Sequence, residues 1–346
     1  MRTLATILAA AAIAAFGFAG TAQAVHFALL NGDAEANLGT PNNWNADDAV
    51  ESVTASDSGQ ISGPNGGSRF FSTGEAPIAM NGSASMDQDV NGTNGVWGCG
   101  VEGLEGMYTV TGSAATGPDD QGQADAAFFN PLGISVGGGI IGPLTTGDGS
   151  WAAFVIGPNT VPENSATMNV ELTGTATNDG TVADVGFDDV SVTLTDCLAS
   201  FAKISGKVMG TGGQRGQWSF EGSVGILHDG GGLVFSDPFH INYKSERQSC
   251  DFTPTALTFD GTTAVVTADY DCNEGSGFQG VDALIRLVPG TGGPEGTGKN
   301  KDRGDVCVDA PDNDLDIGSF CDVDGGNEFA LKNGNVHTDE NTADGP

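Results

Sequence analysis

Short apolar runs separated by turn residues recur along nearly the whole chain, and none keeps a helical period. The runs include 69–71 (RFF), 106–110 (GMYTV), 126–129 (AAFF), 151–156 (WAAFVI) and 166–172 (ATMNVEL). Gly, Pro, Asn and Asp lie between them. Alternation is cleanest in 190–194 (VSVTL), which predicts a strand with one buried face. Frequent turns without a long helix predict an all-β fold, built as a sandwich or jelly roll. Residues 25–197 read as a first unit and 198–203 as a linker. Residues 204–338 read as a second, Gly-rich β-sandwich, and 339–346 as a polar, frayed tail. Two tandem antiparallel β-sandwich domains are the expected architecture, the first a jelly roll.

The first 24 residues follow another pattern. Arg2 precedes an apolar stretch, Leu4 to Phe18, and Thr21-Ala-Gln-Ala24 ends it in small residues. That is the form of an export signal, cut after Ala24. The stretch falls short of the ~20 residues a bilayer span needs, and no later stretch is apolar enough to cross a membrane. The expectation is a secreted protein, extracellular or periplasmic, without integral membrane contact.

Charge narrows the partners. The chain carries 12 Lys and Arg against 45 Asp and Glu, a formal net charge of −33. Such a surface repels nucleic acid, whose binding relies on basic residues neutralising phosphates. It suits divalent cations and neutral ligands. Residues 25–197 hold 22 acidic residues and a single basic one, Arg69.

Six cysteines in an exported chain read as disulfides. Cys250 and Cys272 flank two β-rich runs joined by Asp260-Gly261, a strong hairpin signal that sets them nearly opposite each other. Cys307 and Cys321 flank the turn-rich 311–316 and pair by the same logic. Cys99 with Cys197 follows by elimination. Zinc is the alternative reading, but the chain lacks Cys-x-x-Cys and holds only four His residues.

Several pieces of the first unit fall in a familiar order. Asn31-Gly-Asp-Ala-Glu35 precedes Trp44. Gly67-Ser-Arg-Phe-Phe71, Met86-Asp-Gln-Asp-Val90 and Met168-Asn-Val-Glu-Leu172 follow, and Gly186-Phe-Asp-Asp-Val-Ser-Val192 closes the set. The ordered set resembles the galactose-binding-like jelly rolls of carbohydrate-binding modules and bacterial surface proteins. The resemblance implies a structural calcium joining the opening Glu35 and Asp33 turn to the closing Asp188. Physical reasoning points the same way. Asp188 shares a strand face with Val190, Val192 and Leu194, and a buried carboxylate needs compensation. Calcium, pairing with Arg69, or hydration at a strand end are the available answers. The second unit resembles, more loosely, a Gly-rich β module of large secreted bacterial proteins, with no activity attached to it.

Catalytic motifs are scarce. Gly293-Pro-Glu-Gly-Thr-Gly-Lys299 has the spacing of a phosphate-binding loop, but Asn300 stands where Ser or Thr is needed. Arg303-Gly-Asp305 reads as a chance tripeptide. Asp312-Asn-Asp-Leu-Asp316 alternates oxygens like a calcium loop but places Ile317 where an EF-hand needs Gly. There is no Gly-x-Ser-x-Gly and no His-Glu-x-x-His, and His240 reads as a strand residue. Trp44, Trp97, Tyr108 and Trp151 are the aromatic residues for stacking on a sugar ring, with the core as their alternative place. The expectation is a non-catalytic protein that binds an extracellular glycan or a cell-surface component. A structural part of a matrix, envelope or appendage is the alternative, and an extracellular hydrolase the second.

Overall fold

The computed structural model describes residues 25–27, 29, 31–36, 38–55, 60–61, 63–78, 81–90, 97–101, 103–177, 182–209, 217–227, 232–235, 239–243, 248–272, 278–289, 305–309 and 329–340. The expected export signal 1–24, the loop-like motifs at 293–300 and 312–316, Arg303 and Gly304 of the tripeptide, and Cys321 lie outside them. So do the side chains of Trp97 and Cys307.

Every described strand pairing is antiparallel, as the turn-rich pattern predicts. Two facing sheets hold the first core. One comprises β3 (Glu51–Val53), β4 (Phe70–Ser72), β11 (Val185–Thr195), β6 (Met107–Thr116) and β9 (Trp151–Thr160), in that order, with β1 (Val25–Phe27) also on β11. The other runs β2 (Asn45–Ala46), β5 (Ser83–Val90), β10 (Thr167–Thr175), β7 (Gln121–Phe129) and β8 (Ser135–Leu144). Consecutive strands repeatedly switch sheets, the signature of a jelly roll.

Period-two alternation decides what this sandwich buries. On β10, Met168, Val170 and Leu172 point inward. They meet Met86 and Val90 of β5, Phe128 of β7 and Phe187 of β11. Glu171 and Asn169 point to the other side.

The second core is enclosed by one sheet rather than by two facing ones. Its order is β12 (Leu198–Met209), β20 (Phe329–Glu340), β19 (Asp305–Asp309), β18 (Phe278–Val288), β17 (Thr263–Cys272), β16 (Gln248–Asp260), β15 (Phe239–Tyr243), β13 (Gln217–Leu227) and β14 (Leu233–Phe235). Because β12 also pairs with β13, the sheet closes on itself. Phe252, Val266, Ile285 and Val336 fill the interior. Residues 198–203, expected as a linker, are the opening half of β12. Leu198 and Phe201 are buried there against Val101, so apolar packing keeps this stretch in the ladder. At the other end, β20 takes in Asp339 and Glu340, the first two residues of the expected tail.

The β16–β17 hairpin forms, with Gly261-Thr262 as its two loop residues and Asp260 already in the ladder. Gly261 takes φ +59°, open to glycine without strain. Asp260 pairs with Thr263, and Cys250 stands directly across from Cys272. Both Cys250–Cys272 and Cys99–Cys197 are disulfides. The second ties the short helical turn Trp97–Cys99 to the residue before β12.

Candidate functional site

Two places carry the sequence expectations: the end of β11, where Asp188 lies, and the outer face of the sheet containing β5 and β10.

At the first, the opening turn and the closing strand meet. Val190 N donates to Gly32 O at 2.9 Å. The approach is tight enough that a Cβ on Gly32 would stand 2.1 Å from Val190 O, so only glycine fits. The β6–β11 ladder slips between Asp188 and Ser191, and Asp189 takes φ 53°. The slip also switches faces, since Phe187 and Val190 both enter the core. Asp188 therefore does not share a face with Val190, Val192 and Leu194, contrary to the period-two expectation. It lies on the opposite face with Ser113, where Asn65 and Gly66 cover it to 1% exposure, while Asp189 is exposed.

Backbone amides compensate both carboxylates. Asp188 Oδ2 accepts from Asn65 N (2.9 Å) and Gly66 N (3.3 Å), and its Oδ1 accepts from Asp189 N (2.9 Å). Glu35 accepts from Ser68 N (2.6 Å), Arg69 N (2.9 Å) and Ser68 Oγ. Arg69 Nη1 donates to the Glu35 carbonyl. One segment, 65–69, therefore clamps both acids. Arg69 serves Glu35, and neither sequence answer for Asp188, calcium or Arg69, is needed to bond its oxygens. Asp33 is exposed and accepts from Glu35 N at 3.3 Å.

These residues do not fit a calcium ion in this arrangement. Glu35 and Asp188 turn their oxygens to N–H and O–H donors. Among the described residues, no group of three or more His, Cys, Asp or Glu side chains converges as a metal site. The charges nevertheless differ in comfort. The Ser68 and Arg69 hydrogen bonds hold Glu35 below the usual carboxylate range. Burial, and then the neighbouring Asp189, push Asp188 up to about 6 against its three amide bonds.

The aromatic residues are placed unequally. Trp44 is buried against Phe71, with ring centroids 5.4 Å apart. Tyr108, 1% exposed, packs on Phe128 at 4.8 Å. Neither ring offers a face to an external ligand. Trp151 is half-buried. It lies edge-on to Phe70 and donates Nε1–H to Gly63 O at 2.9 Å.

The outer face of the second sheet carries a fixed polar lattice. Asn169 Nδ2 donates to Asp87 Oδ2 (2.9 Å) and Asp89 Oδ1 (3.0 Å), and Asn45 Nδ2 donates to Asp87 Oδ1 (2.9 Å). Asp125 and Glu171, cross-strand partners, share that face. So does Phe129, half-exposed at the end of β7. These residues were not singled out in sequence as ligand contacts. Alternation in 86–90 and 168–172 shows that Asp87, Asp89 and Asn169 share a direction with one another only once strand pairing is known.

The second unit holds a further cluster. His240 Nδ1 lies 2.6 Å from Asp251 Oδ1, and His240 Nε2 lies 3.2 Å from Ser249 Oγ. Strand pairing of β15 with β16 creates it, since His240 faces Asp251. His240 and Asp251 are 45% and 52% exposed, on an open sheet face.

No protein-family model matches the chain, and no curated protein matches it. Among solved structures the chain is similar to carbohydrate-binding modules of jelly-roll type. One is TmCBM61, solved with β-1,4-galactotriose: 15% identity, 47% of this chain and 95% of that one, TM-score 0.33. Another is a xylan-binding CBM22 domain from Paenibacillus barcinonensis Xyn10C: 12% identity, 45% and 88% covered, TM-score 0.28. The chain is also similar to a Stig cyclase from Fischerella sp. TAU: 13% identity, 50% and 98% covered, TM-score 0.37. Values this low say nothing about what this chain binds.

Proposed function

We propose that this is an exported protein that binds a neutral extracellular glycan on the outer face of the β5–β10–β7 sheet and catalyses nothing. The observation that carries the reading is the lattice of Asn45, Asp87, Asn169 and Asp89, on the same sheet face as Phe129. Phe129 lies two residues along β7 from the cross-strand partner of Asn169. Sugar hydroxyls need acceptors and donors already held in place, and an aromatic edge or face offers apolar contact to the ring. Internal hydrogen bonds fix these rotamers before ligand arrives, which lowers the ordering cost of binding. The export-type N-terminus and two disulfides support an oxidising, extracellular setting.

The test is a glycan array on the mature chain, followed by titration of the best polysaccharide. Asn169→Ala and Phe129→Ala should each weaken binding about tenfold, roughly 1.4 kcal/mol, with unchanged melting temperature. Trp97→Ala and Trp151→Ala serve as the competing positions. Loss of affinity there alone moves the site to the loops. A parent with no affinity for any polysaccharide favours a structural role.

A hydrolase is the second reading, and the Ser249–His240–Asp251 chain of hydrogen bonds is what favours it. A fluorophosphonate probe decides between the two. The binding reading expects no labelling of the parent. Labelling that disappears in Ser249→Ala would establish the hydrolase.

A further inference from the structure

A second acidic pair differs from Asp188 in its surroundings. Asp120 ends the turn between β6 and β7, and Asp184 immediately precedes β11. Each is 2% exposed. Asp184 N donates to Asp120 Oδ2 at 2.8 Å, which fixes the two residues side by side. Asp184 Oδ1 is buried and has no hydrogen-bond partner. Asp188, by contrast, receives three amides.

The space beside that oxygen is kept by glycine and edged by oxygen. A Cβ on Gly74 would stand 3.1 Å from both Asp184 Oδ1 and the Ala183 carbonyl oxygen. A Cβ on Gly117 would stand 2.1 Å from Gln60 Oε1 and 2.9 Å from Asp184 Cβ. Gly117 N holds Asp184 O at 2.7 Å. Segments 73–74, 117–120 and 183–184, together with Gln60, thus meet around the Asp184 side chain, where the Ala183 carbonyl accepts from Thr73 Oγ1 at 2.8 Å.

No basic side chain of residues 25–197 is left to serve it. Arg69 is the only one, and it is committed to Glu35. A buried carboxylate oxygen with no donor is costly. Hard oxygens without nitrogen or sulfur suit calcium.

We propose that Asp120 and Asp184 bind one calcium ion, its remaining ligands being neutral oxygens such as Gln60 Oε1, a backbone carbonyl and water. The ion links the β6–β7 turn to the entry of β11 and to the segment after β4, so it fastens both sheets of the sandwich at one end. This assignment is independent of glycan binding and distinct from the Glu35–Asp188 turn.

The mature full-length chain is stripped with EDTA, reloaded with calcium, and its bound ions are counted by native mass spectrometry and elemental analysis. Asp184→Asn and Asp120→Asn should each hold one calcium fewer than the parent, while Asp188→Asn should keep the parent's count. Equal counts in the parent and both pair variants would overturn the proposal. So would ion loss in Asp188→Asn or Glu35→Gln but not in Asp184→Asn. Melting of the parent needs no variant to fold: calcium should raise its melting temperature by several degrees over EDTA. No rise, or an equal rise in sodium chloride of matched ionic strength, refutes the site. If Asp184→Asn raises the melting temperature equally in EDTA and in calcium, the pair holds no ion.

Discussion

Removing the Cys99–Cys197 bridge is expected to cost more stability than removing Cys250–Cys272, and more than any other change considered for this protein. The first bridge closes a separation of 98 residues and the second one of 22. Chain-entropy reasoning gives about 4.7 kcal/mol for the long loop and about 3.4 kcal/mol for the short one. Their surroundings widen the gap. Cys99 belongs to the first core, and its bridge joins that core to the residue before β12. Cys250 and Cys272 already face each other across a hairpin that its own turn specifies. Urea unfolding of Cys99→Ala/Cys197→Ala and Cys250→Ala/Cys272→Ala in the mature chain measures the two. A larger loss for the hairpin pair would show that loop length does not govern stability here.

The second large effect concerns pH. Asp188 titrates at about 6 in the folded protein against 3.8 for the ordinary group. Between those values the folded protein holds a proton that the unfolded chain has released. Stability must therefore fall as pH rises from about 4 to about 6, and the loss is complete above that window. A separation of this size corresponds to about 3 kcal/mol. Other carboxylates of this acidic protein add slopes of their own. The readout is therefore the difference between the parent and Asp188→Asn in chelator, followed from pH 4 to pH 8. The parent should lose about 2.4 kcal/mol more than the variant over that range, the rest of the loss lying below pH 4. Parallel curves would mean that the amides of Asn65, Gly66 and Asp189 already offset the burial of the charge.

Sequence revealed most where the information is local. Asp260-Gly261 marks the turn, so the hairpin and its disulfide could be read, although the loop itself is Gly261-Thr262 and a slip between Pro254 and Ala256 is what sets Cys250 opposite Cys272. Alternation in β10 and in 190–194 encodes which side of each strand is apolar, but the slip after Asp188 reverses the count, so neither the face of Asp188 nor what answers its charge was legible. The compensating amides come from residues 65 and 66, more than 120 positions away, and no composition or spacing marks them. The same holds for the orphaned oxygen of Asp184. In sequence this residue is one of 22 acids, and its burial depends on three segments meeting. Aromatic side chains misled for a related reason. Trp44 and Tyr108 look equally able to stack on a sugar or to fill a core. Only sheet pairing shows that both face inward while the less conspicuous Phe129 faces out. His240 aligns with Asp251 through register, a property that belongs to two strands and to neither alone.

The two units also treat their borders differently. The closed sheet of β12–β20 gives a neighbouring molecule few free backbone groups to pair with. The sandwich instead ends in β8 and β9, with Ile140 and Val155 exposed on them. Each of those strands contains a proline, Pro143 in β8 and Pro158 in β9. Proline offers no N–H to an incoming strand. Each proline thus interrupts one of the two long sandwich edges along which copies of this chain could zip together into a continuous ribbon.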